Sequence, residues 1–480
     1  MSINIILYSV IAYFGLLLLI AWYTSRNADT NSYFKGNKQS PWFIVAFGLI
    51  GDSLSGVTFI SVPGDVGKND FSYLQMVLGY VIGYLVIAQV LLPLYYRLNL
   101  TSIYSYLGQR FGKLSQKSGS FFFLLSRLVG AAFRLYIALI VLDIYFFKAF
   151  NIPFALSASI VIALILLYTY KGGIKTLVWT DTLQSCFLLL GVFMSLYVIS
   201  SELNFSFSDM ITAVKESPHS RGLFFDDWLS KNNFFKQFLG GMFIAIVMTG
   251  LDQNMMQKNL SCRTLADAQK NIRWFSIVVV LINLLFLSLG ALLYIYAQSK
   301  NISLPTKTDQ LFPLIALNYI GGIGAIFFIL GITAATFSSA DSVLTTLTTS
   351  FCIDFLNYDE KHESQKSKRK RQLIHVSFAL LLLVIILIFK EWNNESIIGQ
   401  VFKFAGFTYG PLLGLFAFGL FNKSKVNDRL VPLVCCVSPI VCFVIDANSK
   451  AWFGGLEFGN SMLILNGLIT FAGLWFISKK

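Results

Sequence analysis

Apolar runs of about 20 residues recur along the chain between short polar connections, and each can cross the roughly 30 Å hydrocarbon core of a bilayer. Thirteen such runs fall at about 3–24, 42–66, 72–96, 120–147, 153–170, 176–200, 235–257, 274–297, 321–356, 373–389, 396–421, 430–446 and 458–477. They predict an all-α polytopic membrane protein. Two of the runs carry interruptions. Within Phe47–Gly64 the apolar flanks enclose Gly51-Asp52-Ser53-Leu54-Ser55-Gly56, which is small and polar. A helix broken at membrane depth frees N–H and C=O groups that lipid cannot satisfy, so such backbone is buried in protein or lines a wet cavity. A Gly/Ser packing face between two intact helices is the competing reading. The seventh run sets Gly250 before Asp252, Gln253, Asn254 and Gln257, a cluster too polar to face lipid.

Broken spans at corresponding positions of two halves mark the binding region of many secondary transporters. With the first run set aside, runs two to six and seven to eleven form two units of five in opposite orientation. The expected organisation is one transporter domain. It has a leading helix and loop at 1–40, a first five-helix repeat at 41–200, a second at 234–421, and two further helices at 422–480.

Composition agrees: 56% of the 480 residues are hydrophobic and 13% charged, which excludes a soluble globular protein. The net charge of +13 points to the membrane, not to nucleic acid, once its placement is counted. With the N-terminus outside, 24 of the 37 Lys and Arg fall in the inside connections and 13 in the outside connections and spans together. That asymmetry predicts an external N-terminus and a cytoplasmic C-terminus in a plasma or inner membrane. Arg26, Lys35 and Lys38 then hold the inner end of the first span, which is too long and lacks the basic start of a cleaved signal peptide. The basic run Lys366–Arg371 reads as a solvated linker against anionic lipid heads. Six scattered cysteines read as core hydrophobes, and His219, His362 and His375 lack ligand spacing, so no disulfide framework, metal site or organic cofactor is expected.

Charged and hydroxyl side chains inside spans carry the candidate chemistry. Arg127 and Arg134 are seven residues apart and share a helix face. Arg127 lies near enough to the cytoplasmic end to snorkel. Arg134, about two turns deeper, is read as an interior residue, either an anion ligand or the partner of a carboxylate. The ninth run holds Gly331-Ile-Thr-Ala-Ala-Thr-Phe-Ser-Ser-Ala-Asp-Ser342. A single hydroxyl there can simply bond its own i−4 carbonyl. Five hydroxyls and a carboxylate together offer the oxygen ligands that hard cations take, opposite the carbonyls freed at 51–55.

These stretches, in this order, resemble the sodium/solute symporter family over nearly the whole chain. The matching segments are DSLSGVTFISVPG, LPLYYRLNLTSIYSYLGQRFG, YTYKGGIKTLVWTDTLQ, GLDQNMMQKNLSCRTLADAQK, AATFSSADS and FTYGPLLGLFAFGLF. The resemblance implies a LeuT-type five-plus-five fold and inward movement of a solute with Na+ by alternating access. It implies a principal sodium site of the Gly51, Leu54 and Ile332 carbonyls with side chains at Ala335 and Thr336, where Ala335 departs from the usual serine. It implies a second sodium site at Asp181, Ser338 and Ser339, as in sialic acid symporters. Ser53, Ser55 and Thr58 stand where those symporters place substrate-binding hydroxyls, and Arg134 where they grip a carboxylate. Gln75, Gln253 and Asn254 are further substrate candidates. Asp52 and Asp341 remain open between sodium ligation, pairing with Arg134 and carrying a proton.

The expected function is therefore sodium-coupled symport of a small organic solute, a carboxylate or acidic sugar, by a monomer or weak oligomer. The alternatives are a neutral or zwitterionic solute (sugar, amino acid, vitamin) on the same fold, or a membrane sensor that does not transport. No HExxH, GxGD-like acid pair or deep histidine supports an enzyme. With a monovalent anion, two sodium ions would make uptake electrogenic and one would make it electroneutral.

Overall fold

Helices follow the apolar runs because only a helix satisfies its own backbone in lipid. The chain is seen in a computed structural model that describes residues 3–26, 33–34, 36–358, 365–392 and 397–479, so Lys35 and His362 lie outside the described residues. The first helix, α1, is Ile3–Ser25. The second run is two helices, α2 (Trp42–Ser53) and α3 (Gly56–Asn69), bent by 58° at the polar interruption. Helix α4 (Tyr73–Val86) continues through a π-helical turn to Arg97, and α5 spans Lys113–Tyr145. Phe154–Thr169 (α6) and Gly173–Glu202 (α7) meet at a non-helical Gly173 with φ 56°. The seventh run is α8 (Phe234–Ala245) and α9 (Gln253–Asn259), bent by 66° after a π-helical turn at Ile246–Gly250. Then come α10 (Leu265–Ser299), α11 (Gly322–Ser350), α12 (Gln365–Trp392), α13 (Ile397–Phe421), α14 (Val431–Trp452) and α15 (Met462–Phe476).

Among the described residues ten helices are long and apolar enough to cross a membrane, or twelve if each bent pair is one span. The expected run at 153–170 is the shorter α6. The basic run at 366–371 forms the first turns of α12: Lys366, Lys368, Arg369 and Lys370 are exposed, as a solvated segment should be, whereas Arg371 is buried with its guanidinium 3.8 Å above the Tyr33 ring. Stacking on an aromatic face compensates the partial desolvation of that cation.

Helix α11 lies at the centre, with every residue from Phe328 to Ser350 buried against α5, α12, the 154–202 helices and the broken pair. Its hydroxyls are thus a core feature. Helices α4 and α8 approach closely through Gly79 and Gly241. A Cβ at Gly79 would run into the Phe238 carbonyl, and one at Gly241 into that of Met76, the small-residue contact expected between membrane helices.

Candidate functional site

Both breaks open beside one cavity. After Ser53, Leu54 (φ −95°, ψ 75°) and Ser55 (φ −73°, ψ 175°) leave helical geometry, and α3 restarts at Gly56. The first four N–H groups of a helix have no partner within it. At α9 the Asp252 side chain fills this role, accepting from Met255 N at 3.2 Å. No side chain caps α3. Its N-terminal turn, through Val57 and Thr58, instead lines a cavity of about 90 Å³ together with Ser53 and Ser55 of the break. Tyr73, Tyr80 and Tyr84 of α4 form another wall, Met248 and Thr249 before the second break a third, and Asn283 of α10 with Val401 and Phe402 of α13 close it.

Arg127 and Arg134 both reach this cavity, with opposite fates. Arg127 does not snorkel. It is buried, with Nε 2.5 Å from Asp252 Oδ2 and Nη2 donating to Met248 O at 3.2 Å. Tyr409 OH donates to the same Asp252 oxygen at 2.6 Å. The capping acid of α9 is reason enough: an arginine one helix away compensates its buried charge. For Arg134, by contrast, no ion pair or hydrogen bond is found among the described residues. The carboxylates that could have paired with it are engaged elsewhere.

Asp52 and Asp181 share a lysine that the sequence reading passed over. Lys258, on α9, is 1% exposed. Its Nζ lies 2.8 Å from Asp52 Oδ2, 2.5 Å from Asp181 Oδ2 and 2.7 Å from Ser342 Oγ. Asn254, one turn earlier on the same face, donates to Asp52 Oδ2 at 2.8 Å. Among the described residues Asp52 Oδ1 is buried without a partner and belongs to a cavity-lining residue, as does the equally unpartnered Asn283 Oδ1. Asp341 turns away to Tyr168, whose OH donates to Oδ2 at 2.8 Å. Asp52 and Asp341 therefore do not pair with Arg134.

The first break packs against the hydroxyl-bearing helix α11, where the resemblance implies the principal sodium site. A Cβ on Gly56 would sit 2.9 Å from Thr336 Oγ1, and one on Gly51 2.9 Å from Ser338 Oγ and 2.7 Å from Ser185 Oγ. Hydroxyl oxygens thus crowd a cradle that only glycine leaves open. That donor set suits a hard monovalent cation. Thr336 donates to Ile332 O at 2.7 Å, which leaves its oxygen free to ligate, while Ala335 offers no side-chain oxygen. At the implied second sodium site, Ser338 donates to Asp181 Oδ1 at 3.2 Å and Ser339 to Ala335 O at 3.2 Å, while the Lys258 ammonium takes the other Asp181 oxygen.

Ser53, Ser55, Thr58 and Arg134 all line the cavity; Gln75, Gln253 and Asn254 do not. Gln75 donates to Asn232 O at 2.9 Å and accepts from Phe224 N at 2.8 Å, fastening the long outer loop. Gln253 donates to Thr101 O at 2.7 Å and accepts from Ile103 N at 2.9 Å. Their amides satisfy buried loop backbone. Asn283 was missed; a lone Asn in the apolar stretch Val278–Leu285 was its only signal.

Comparison with known proteins agrees with this architecture. The sodium:solute symporter family model matches residues 33–429. The sodium/sialic acid symporter NanT of Aliivibrio fischeri is 23% identical over 96% of this chain and 91% of its own length. The sodium/sialic acid symporter SiaT of Proteus mirabilis is 23% identical over 95% and 93%. The mouse sodium-coupled monocarboxylate transporter 2 is 23% identical over 85% of this chain and 66% of its own. Among solved structures, a substrate-bound, outward-open Na+-coupled sialic acid symporter superposes with TM-score 0.83 at 21% identity over 99% of both chains. The nucleobase-cation symporter Mhp1 gives 0.53 at 14% identity over 94% and 95%. The fold is the LeuT-type transporter fold, and the chain belongs to the sodium:solute symporter family.

Proposed function

We propose that the protein imports a small hydroxylated carboxylate, an acidic sugar of the sialic acid kind, together with sodium. One observation carries this reading: Arg134, which has no ion pair or hydrogen bond among the described residues, shares a cavity with the uncapped N-terminus of α3. A guanidinium forks onto a carboxylate through two parallel hydrogen bonds, and a helix N-terminus adds amides and the positive end of its dipole. Asp52 Oδ1 and Asn283 Oδ1 favour a sugar acid over a plain monocarboxylate, because buried acceptors call for hydroxyl or amide donors on the solute. Ser53, Ser55 and Thr58 complete the polar wall, and the three tyrosines give the ring apolar surface. The names of the two sialic acid relatives agree with this choice.

Sodium would be held at the Gly51, Leu54 and Ile332 carbonyls with Thr336, where its charge joins the anion's site to the helix break. Alternating access would move the repeats 41–200 and 234–421 about the breaks, with the N-terminus outside. Asp341 would act as a structural acid bonded to Tyr168. The test is thermal stability of the purified protein with N-acetylneuraminate, a neutral N-acetylated sugar, a monocarboxylate and an amino acid, each in sodium or choline. A ligand of the native state at 100 times its Kd adds about 2.7 kcal/mol. Stabilisation by N-acetylneuraminate only in sodium is expected. Stabilisation by the neutral solutes instead would overturn the role of Arg134.

A further inference from the structure

Lys258 is an ammonium where a second diffusible cation would have been expected. Its three contacts are two carboxylate oxygens and a serine hydroxyl, 2.5–2.8 Å away. Ser338 and Ser342 complete the ring, donating to the two Asp181 oxygens at 3.2 and 3.3 Å. This is an oxygen shell of the kind that holds a hard cation, already filled by a side chain of the same charge. An ammonium carries +1 and three donors on a four-carbon stem, and Lys258 uses all three. A sodium ion on Asp181 would lie within about 4 Å of that ammonium, and two like unit charges this close repel strongly in a buried site.

We propose that Lys258 is a tethered substitute for the second coupling ion: the Asp181–Ser338 site is closed to free sodium, and each cycle carries one sodium ion through the principal site. The inference rests on the sodium-symport reading and fixes its stoichiometry. The tether also has a structural consequence. Lys258 sits on α9, just past the second break, while Asp52 sits at the end of α2, just before the first. The ammonium therefore joins both broken spans to α7 and α11 in every cycle. A diffusible ion would release that link with each turnover, and its charge would enter the cell.

Equilibrium binding of radioactive sodium to the purified full chain tests this by counting. Wild type and K258R bind one ion per protein, and K258M, which vacates the two carboxylates, binds two. Equal counts in wild type and K258M overturn the proposal, whatever the count. A wild-type count of zero would sink the sodium reading separately, since the difference between the two proteins, not the wild-type value, reports on Lys258. If K258M does not fold, D181N decides. It keeps the wild-type count if Lys258 already owns Asp181, and loss of one ion in D181N overturns the proposal.

Discussion

Replacing Arg134 by Gln removes a charge that the protein itself does not use. The neighbouring carboxylates are committed elsewhere, Asp252 to Arg127 at 2.5 Å and Asp52 to Lys258 at 2.8 Å. Folding therefore loses no ion pair in R134Q, and a partly desolvated charge disappears. The bound carboxylate loses its fork. Hydrogen bonds to charged groups are worth about 1.5–3 kcal/mol net, and the half-buried position of Arg134 puts the expected loss at about 2–3 kcal/mol, roughly 30- to 150-fold in Kd. R134K keeps the charge without the planar fork and should fall between the two. Isothermal titration with N-acetylneuraminate in sodium gives the affinities, and melting of the ligand-free proteins gives the folding control. Binding by R134Q within threefold of wild type would refute the assignment. So would a fall in ligand-free melting temperature matching that of R127Q.

The other expectations separate structural from ligand-facing groups. R127Q leaves Asp252 charged and buried without its cation, so stability should fall by about 3–5 kcal/mol, read as a lower melting temperature with or without ligand. A335S restores an oxygen at the principal sodium site and should tighten sodium by about 1 kcal/mol, several-fold in the concentration for half-maximal stabilisation. N283L removes an unpartnered acceptor from the cavity wall and should weaken the acidic sugar by about 1–3 kcal/mol while leaving a short monocarboxylate unchanged, measured by competition. With one sodium per monovalent anion, an imposed potential should not alter initial uptake. A second sodium would couple about 2.3 kcal/mol per 100 mV to transport.

The two breaks were legible because Gly51–Gly56 and Gly250–Asn254 concentrate glycine and polar residues inside apolar runs, and the bends of 58° and 66° fall there. The hydroxyl helix was legible for the same reason, since oxygens at that density cannot face hydrocarbon. Side-chain direction was not. Gln75 and Gln253 looked like ligands because sequence does not say whether a buried amide faces a cavity or a loop's backbone. Lys258 was missed because the apolar run ends at 257, so it was counted among cytoplasmic loop charges. The signal lay in the acids: Asp52, Asp181 and Asp341 within spans require a buried cation, and Lys258 follows Asn254 by one helical turn. Arg127 was misread because the tally stopped before asking what neutralises Asp252.

Uptake of radiolabelled N-acetylneuraminate into proteoliposomes of the purified protein tests the central claim most directly. An inward sodium gradient should drive accumulation above the external concentration, and equimolar choline should abolish it. R134Q should need a far higher substrate concentration for the same rate. Accumulation without sodium, or sodium-driven accumulation of a neutral sugar in place of N-acetylneuraminate, would contradict the account.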